Sequence, residues 1–197
     1  MTTARTTDVP TEFRAALDSI GGRRVRPEVS LREVPAPRRV APFSVALTGE
    51  VAGEQDDDPE LASGRFVVLY DPAGQEAWQG RFRVVTLVRA TLEAEMAGEE
   101  MLAQVAWSWL ADAKADAGAP SRADGGTVTR TVSESFGALA GRRDDVELEI
   151  RASWTPLTAD LGTHLAAWSE LLCTAAGLPP LPAGVTPLPA RRNTVGP

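Results

Sequence analysis

Four apolar, strand-like segments follow one another before the first long helical stretch, and that order most restricts the fold. "EVSLREV" (28–34) is bounded by Pro27 and Pro35. "FSVALTGEV" (43–51) sets Phe43, Val45, Leu47 and Val51 against Ser44, Thr48 and Glu50, the alternation of a half-buried strand. "GRFVVLY" (64–70) is more uniformly apolar and reads as more central. "GRFRVVTLVRATLE" (80–93) carries Phe82, Val84, Val88 and Leu92 on one face. Its other face carries Arg81, Arg83 and Arg89 together with Val85 and Leu87. Strands that succeed one another without intervening helices point to a mostly antiparallel sheet rather than a βαβ array.

The remaining segments supply cover for that sheet. Phe13, Ala16, Leu17 and Ile20 share one face of a short helix, opened by Asp8 and Pro10 and closed by Gly21-Gly22. Residues 98–117 form a longer helix, with Leu102, Val105, Ala106, Trp109, Leu110 and Ala113 along one stripe. Two more strands follow, "TVTRTVSESF" (127–136) and "DVELEIRASW" (145–154), joined as a hairpin by "GALAGRRDD". In the second, Val146, Leu148, Ile150, Ala152 and Trp154 alternate with Glu147, Glu149 and Arg151. Thr155-Pro156 and Thr158 are expected to open the last helix, with Leu161, Leu165, Trp168 and Leu172 buried and Gly177 as its C-cap. The expectation is an α+β fold: about six strands packed against two long helices, in the order α-β-β-β-β-α-β-β-α. Residues 9–178 are one domain. Residues 1–8 are expected to be a disordered N-terminus, and the proline-rich 179–197 a flexible tail.

Composition narrows the chemistry. The chain has 197 residues and a formal net charge of -7, which argues against a phosphate-binding nucleic-acid partner. The densest basic stretch, Arg23 to Arg39, is interrupted by Glu28 and Glu33 and reads as a solvated strand and its flanks. No run approaches the ~18 apolar residues of a membrane span, and the N-terminus carries no signal-like apolar core. A single cysteine permits no intramolecular disulfide. Together these features predict a cytoplasmic protein without a membrane partner.

Catalytic motifs are missing: there is no glycine-rich phosphate loop, no G-x-G-x-x-G and no G-x-S-x-G. Cys173 and His164, the lone cysteine and histidine, lie nine residues apart, about 180° of rotation on a helix, so they do not pair. A Cys/His zinc site is excluded by count. His164 is expected to be a partly exposed helix residue, and Cys173 a small packing residue. The acidic "QDDDPE" (55–60) lacks calcium-loop spacing and reads as a solvated loop. No catalytic residue, metal ligand or cofactor is expected.

Two places remain as candidate sites. In "QVAWSWLADA" (104–113), Trp109 lies on the buried stripe and Trp107 about 200° away from it. Trp107 with Ala103 and Ala111 forms either a small partner-binding patch or a surface that another part of the chain covers. The tail and the first helix are the candidates for that cover. The second place is "DPAGQEAWQGRFR" (71–83), where Asp71, Glu76, Trp78, Arg81 and Arg83 could form a small-ligand or enzyme site. There the arginine pair would grip a carboxylate or phosphate. The hydroxyl row Thr127, Thr129, Thr131, Ser133, Ser135 is either a solvent-facing strand or a polar pocket wall. On its opposite face Arg130 and Glu134 suggest a bulge or an ion pair with the Glu147/Arg151 strand.

Six segments together carry a family resemblance: "RPEVSLREVPAPRRVAPFSVAL", "DPAGQEAWQGRFRVVT", "VAWSWLADA", "SESFG", "EIRASWTP" and "AWSELLCTAAGLPP". Over residues 12–181 the chain resembles an actinobacterial family, domain of unknown function 3000. The resemblance implies an actinobacterial cytoplasmic protein and transfers no catalytic or binding residue. The element order is also similar to bacterial secretion-chaperone-like folds, although those have three strands in the first block. That likeness favours a protein-binding module, often dimeric, but fold analogy does not carry function. The expectation is a non-enzymatic interaction or regulatory module with a protein partner or a second copy of itself. The alternative is a small-ligand site around residues 71–83.

Overall fold

The computed structural model describes residues 9–37, 39–53, 60–140 and 145–180. Within them the order is α1 (Thr11–Gly22), β1 (Val29–Val34), β2 (Phe43–Val51), β3 (Ala62–Gln75), β4 (Gly80–Leu92), α2 (Leu102–Asp116), β5 (Ser121–Ser133), β6 (Asp145–Pro156) and α3 (Leu161–Ala175). Short 3-10 turns at Glu76–Trp78, Ala94–Gly98 and Gly137–Leu139 join some of them. The expected α+β order holds. The strands form one six-stranded sheet, β1-β2-β3-β4-β6-β5, with every neighbouring pair antiparallel. The expectation of two long helices was too simple, because α1 joins α2 and α3 on the sheet.

Every strand has two chemically distinct faces. Phe66, Val68, Tyr70, Val84, Val88, Leu148, Ile150 and Trp154 point to the helices and are buried in one continuous core. α3 is the centre of that layer. It packs on β2, β3 and β4, with α1 on one side and α2 on the other. Trp168, fully buried, lies across the sheet over Gly49 and Gly64, which are cross-strand partners. A Cβ on Gly49 would come within 2.7 Å of the Trp168 ring, so glycine at this position makes room for the indole. Full burial of such a ring is the largest single apolar contribution a side chain makes to a core.

Several local expectations are corrected by packing. Thr155-Pro156 belongs to β6, and α3 starts only at Leu161. The first backbone N–H groups of α3, at Leu161 and Gly162, donate to the Ser19 hydroxyl of α1 at 3.0 and 3.2 Å. One helix thus caps another, a contact that no local cap residue announces. Asp8, the expected cap of α1, the acidic 54–59 and the tail from 181 onward lie outside the described residues. β5 begins six residues earlier than expected, at Ser121, because it carries a bulge between Arg122 and Gly125. Among the described residues, Arg130 forms no ion pair with the Glu147/Arg151 strand. It donates to the Glu99 carbonyl at 2.7 Å.

Two polar groups thought to be solvated are buried. His164 is fully buried, not partly exposed, because α1 and α2 flank α3 and leave it no free side. Its Nδ1 accepts a hydrogen bond from the Trp154 indole N–H at 3.0 Å, and its Nε2 has no partner. Burial, with the nearby Lys114 cation acting in the same direction, lowers its pKa to about 4. Arg26, in the basic stretch, is also buried. It bonds Glu28, Glu170 and the Pro179 carbonyl, and the Glu28 contact raises its pKa.

Candidate functional site: the open face of the sheet

No described helix covers the opposite side of the sheet. Its β1–β3 half is partly closed. There Ala46, Val67 and Leu69 form a small cluster against Val34, Ala36, Ala41 and Trp78. The β3–β6 half stays open, and its register sets the site. One cross-strand row reads Arg32, Thr48, Arg65, Leu87, Arg151, Thr127. The next reads Val34, Ala46, Val67, Val85, Ser153, Gly125. Val67, Val85 and Leu87 therefore lie side by side, lining a groove of about 370 Å³ with Arg65, Arg151, Ser153 and Thr127. Val85 is 37% exposed at its centre. A second groove of about 310 Å³ adjoins it, lined by Ser63, Arg89, Thr129, Thr131 and Glu149. Of the hydroxyl row, Thr127 thus walls the first groove and Thr129 and Thr131 the second, while Ser135 lies beyond the end of β5.

Charge on this face is unevenly paired. Glu149 accepts from Arg151 Nε at 2.5 Å and from Arg89 Nε at 2.7 Å, and these two bonds hold its carboxyl below the usual range. Arg65 donates to the Pro35 carbonyl at 2.8 Å. Arg83 donates to the Ser153 and Thr155 hydroxyls at 2.7 and 3.2 Å and to the Ala123 carbonyl at 2.9 Å. Partial burial lowers the Arg83 pKa. Among the described residues, no carboxylate forms an ion pair with Arg65 or Arg83.

The residues singled out between 71 and 83 do not converge. Asp71 closes its own turn, accepting from Ala73 N–H at 3.0 Å and Gln75 Nε2 at 3.2 Å. Glu76 is exposed in a 3-10 turn. Trp78 packs on the small Ala46/Val67/Leu69 cluster, and its carbonyl accepts the Thr155 hydroxyl. Arg81 pairs with Glu12 of α1 at 2.9 Å, where the same carboxylate oxygen accepts the Tyr70 hydroxyl at 2.8 Å. Arg83 instead turns to β5 and β6. The two arginines have different partners and form no common grip.

Trp107 is half-buried, and what it packs on is β5. A Cβ on Gly126 would come within 2.7 Å of its ring. Gly126 of the edge strand lies under the ring, whereas the tail from 181 onward, one of the two covers expected, lies outside the described residues. Shallow grooves flank the ring, one toward Gln104 and Val128 and one toward Lys114 and Asp124. Trp109, on the other flank of α2, is also only half-buried, beside Ala166 of α3. The buried stripe of α2 is Leu102, Ala106, Leu110 and Ala113; Val105, expected on it, is exposed instead.

A family model described as a protein of unknown function, DUF3000, matches residues 9–186. The chain belongs to the DUF3000 family. No curated protein and no solved structure matches it. The DUF3000 fold described here therefore supplies the geometry itself. Among the described residues, no cluster of three His, Cys, Asp or Glu side chains could hold a metal, and no helix is long and apolar enough to cross a membrane. Sequence reasoning missed Arg65, Arg151 and the Val67/Val85/Leu87 floor of this DUF3000 chain as a unit. The alternation of β4 had put Val85 and Leu87 on the arginine face, and that misplaced apolar pair was the available signal.

Proposed function

We propose that this chain is a non-enzymatic interaction module of the cytoplasm that binds a protein partner on the open face of its sheet. The observation that carries the reading is the apolar floor of Val67, Val85 and Leu87, left without a helix between Arg65 and Arg151. An exposed apolar patch rimmed by polar groups is the usual form of a protein contact. The lone histidine and cysteine are committed to the core: His164 bonds Trp154, and burial pushes the Cys173 thiol up to about 12, leaving it unreactive. A buried, reduced cysteine agrees with a cytoplasmic setting.

The test is a Val85→Glu substitution, which places a charge at the centre of the floor and disturbs no buried contact. Wild type and variant are used as baits in the native host, with partners read by mass spectrometry and folding by circular dichroism. Partners lost on a folded variant support the reading. An unchanged partner list overturns it.

A small-ligand site is the second reading, favoured by Arg83, whose hydrogen bonds among the described residues go to neutral oxygen atoms. A thermal-shift screen against small carboxylates and phosphates tests it. A rise in Tm that Arg83→Gln abolishes would support this reading over the first.

A further inference from the structure

We infer that the open face takes an acidic segment of another protein, one that presents a large apolar side chain between carboxylates. This rests on the interaction-module reading and adds the chemistry of the partner.

The floor is ringed by arginines. Arg65 and Arg151 stand on either side of Leu87 in one row, two strands apart, so their backbones are about 10 Å from each other. Arg83 and Arg89 close the ring along β4, about 20 Å apart at the two ends of the Val85–Leu87 pair. Four guanidinium groups surround the patch, and among the described residues Glu149 is the one carboxylate in an ion pair with any of them. Glu50 lies two strands from Arg89 in its row, and Glu60 and Glu147 line the adjoining groove at the Arg89 end, away from Arg65 and Val85. This positive ring belongs to a chain of net charge -7, so its sign runs against that of the molecule.

That contrast selects the occupant. A second copy docking the same face on a two-fold axis would set Arg65, Arg89 and Arg151 against their own equivalents or near them. The chain beyond residue 180 carries Arg191 and Arg192 and no acidic side chain, so it does not complement the ring either. A nucleic acid would find arginines, but the floor is aliphatic and offers no aromatic platform for bases, and the rest of the molecule repels a polyanion. An acidic segment with an apolar side chain satisfies both halves of the site. The side chain removes Val85 and Leu87 from water over the already buried Val67, and the carboxylates meet Arg65, Arg83 and Arg151. The charges set specificity and on-rate, and the apolar contact holds the complex.

The full chain is titrated against labelled synthetic peptides and read by fluorescence anisotropy. One peptide sets Leu and Phe among Asp and Glu. A second replaces the acids with Asn and Gln, and a third replaces Leu and Phe with Ser. A single-stranded oligonucleotide is the fourth probe, and light scattering reports the mass of the free chain. The first peptide is expected to bind about tenfold or more tightly than each of the others, with affinity falling at high salt. Arg65→Glu combined with Arg151→Glu, and Val85→Glu alone, should each remove that preference, whereas Arg24→Glu, off this face, should not. Equal binding of the neutral peptide, tighter binding of the oligonucleotide, or a dimer that Val85→Glu dissolves would each overturn the inference. If Val85→Glu removes the native partner while peptide charge makes no difference, the acidic segment is wrong and the interaction face stands. If Val85→Glu affects neither, both fail.

Discussion

The two faces of this sheet are built from the same strands and solve opposite problems. The helix face buries Trp154, Trp168, Phe66 and Tyr70 under three helices. The open face puts Val67, Val85 and Leu87 between arginines and leaves Val85 exposed and Leu87 half-buried, with Val67 buried among its strand neighbours. The helix face carries the stability, because apolar area removed from water is the main favourable term in folding. The open face contributes little to folding and is free to be selected for contact. Perturbing the first should therefore cost stability, and perturbing the second should cost binding alone.

The sharpest way to break the comparison is Trp168→Ala. The indole spans β2 and β3 over Gly49 and Gly64, and its N–H donates to the Leu87 carbonyl at 3.3 Å. Its removal leaves a cavity at the centre of the helix face, and the expected loss is about 3–5 kcal/mol by urea denaturation. A loss below about 1 kcal/mol would mean that α3 does not organise the core.

Acid should also act through the helix face. His164 is held neutral in the fold, with a pKa of about 4 against 6.5 ordinarily, so the unfolded chain binds its proton first. The stability tied to this group is complete above about pH 6.5 and is lost as pH falls toward 4, by about 3 kcal/mol in all. A His164→Gln variant should flatten the urea midpoint between those pH values. On the open face, Glu149 acts in a lower window. Its depressed carboxyl, bonded by Arg151 and Arg89, contributes stability that fades only below the ordinary glutamate range. Glu149→Gln should remove that lower slope and leave the His164 slope intact.

An intermediate effect is expected where the two faces meet, at the β5 edge. Gly126→Leu pushes a side chain into Trp107 and the Arg151 carbonyl, and should cost about 1–3 kcal/mol. Trp107→Ala, which empties a half-buried position, should cost less than Trp168→Ala and leave the mass by light scattering unchanged. A change of mass would instead make Trp107 an interface residue. The smallest stability effects belong to Val85→Glu and Arg65→Gln, each within about 0.5 kcal/mol, because neither side chain is buried. Either substitution costing several kcal/mol would show the open face to be part of the core.

Much of the fold was legible before any coordinates. β2 and β4 follow their alternation, with Phe43, Val45, Leu47, Val84 and Val88 toward the helices. The Val146–Trp154 face of β6 was also legible in the pattern, and so were Leu102, Ala106, Leu110 and Ala113 of the α2 stripe, though not its Val105 and Trp109. The candidate site was much less so. Asp71, Glu76, Trp78, Arg81 and Arg83 are close in sequence, yet the hairpin sends their side chains to separate partners. Arg65 and Arg151 are far apart in sequence, yet the register puts them in one row.

The division has a physical reason. Alternation and helical periodicity are local: neighbouring residues fix which side of a strand or helix is apolar, so the sequence alone decided the α+β class, the antiparallel order and the two-faced strands. Only tertiary structure decided which rows line up across strands, that three helices share one side, that α3 is enclosed around His164, and that Trp107 packs on Gly126. Those outcomes depend on pairing between distant segments, and no single segment carries them.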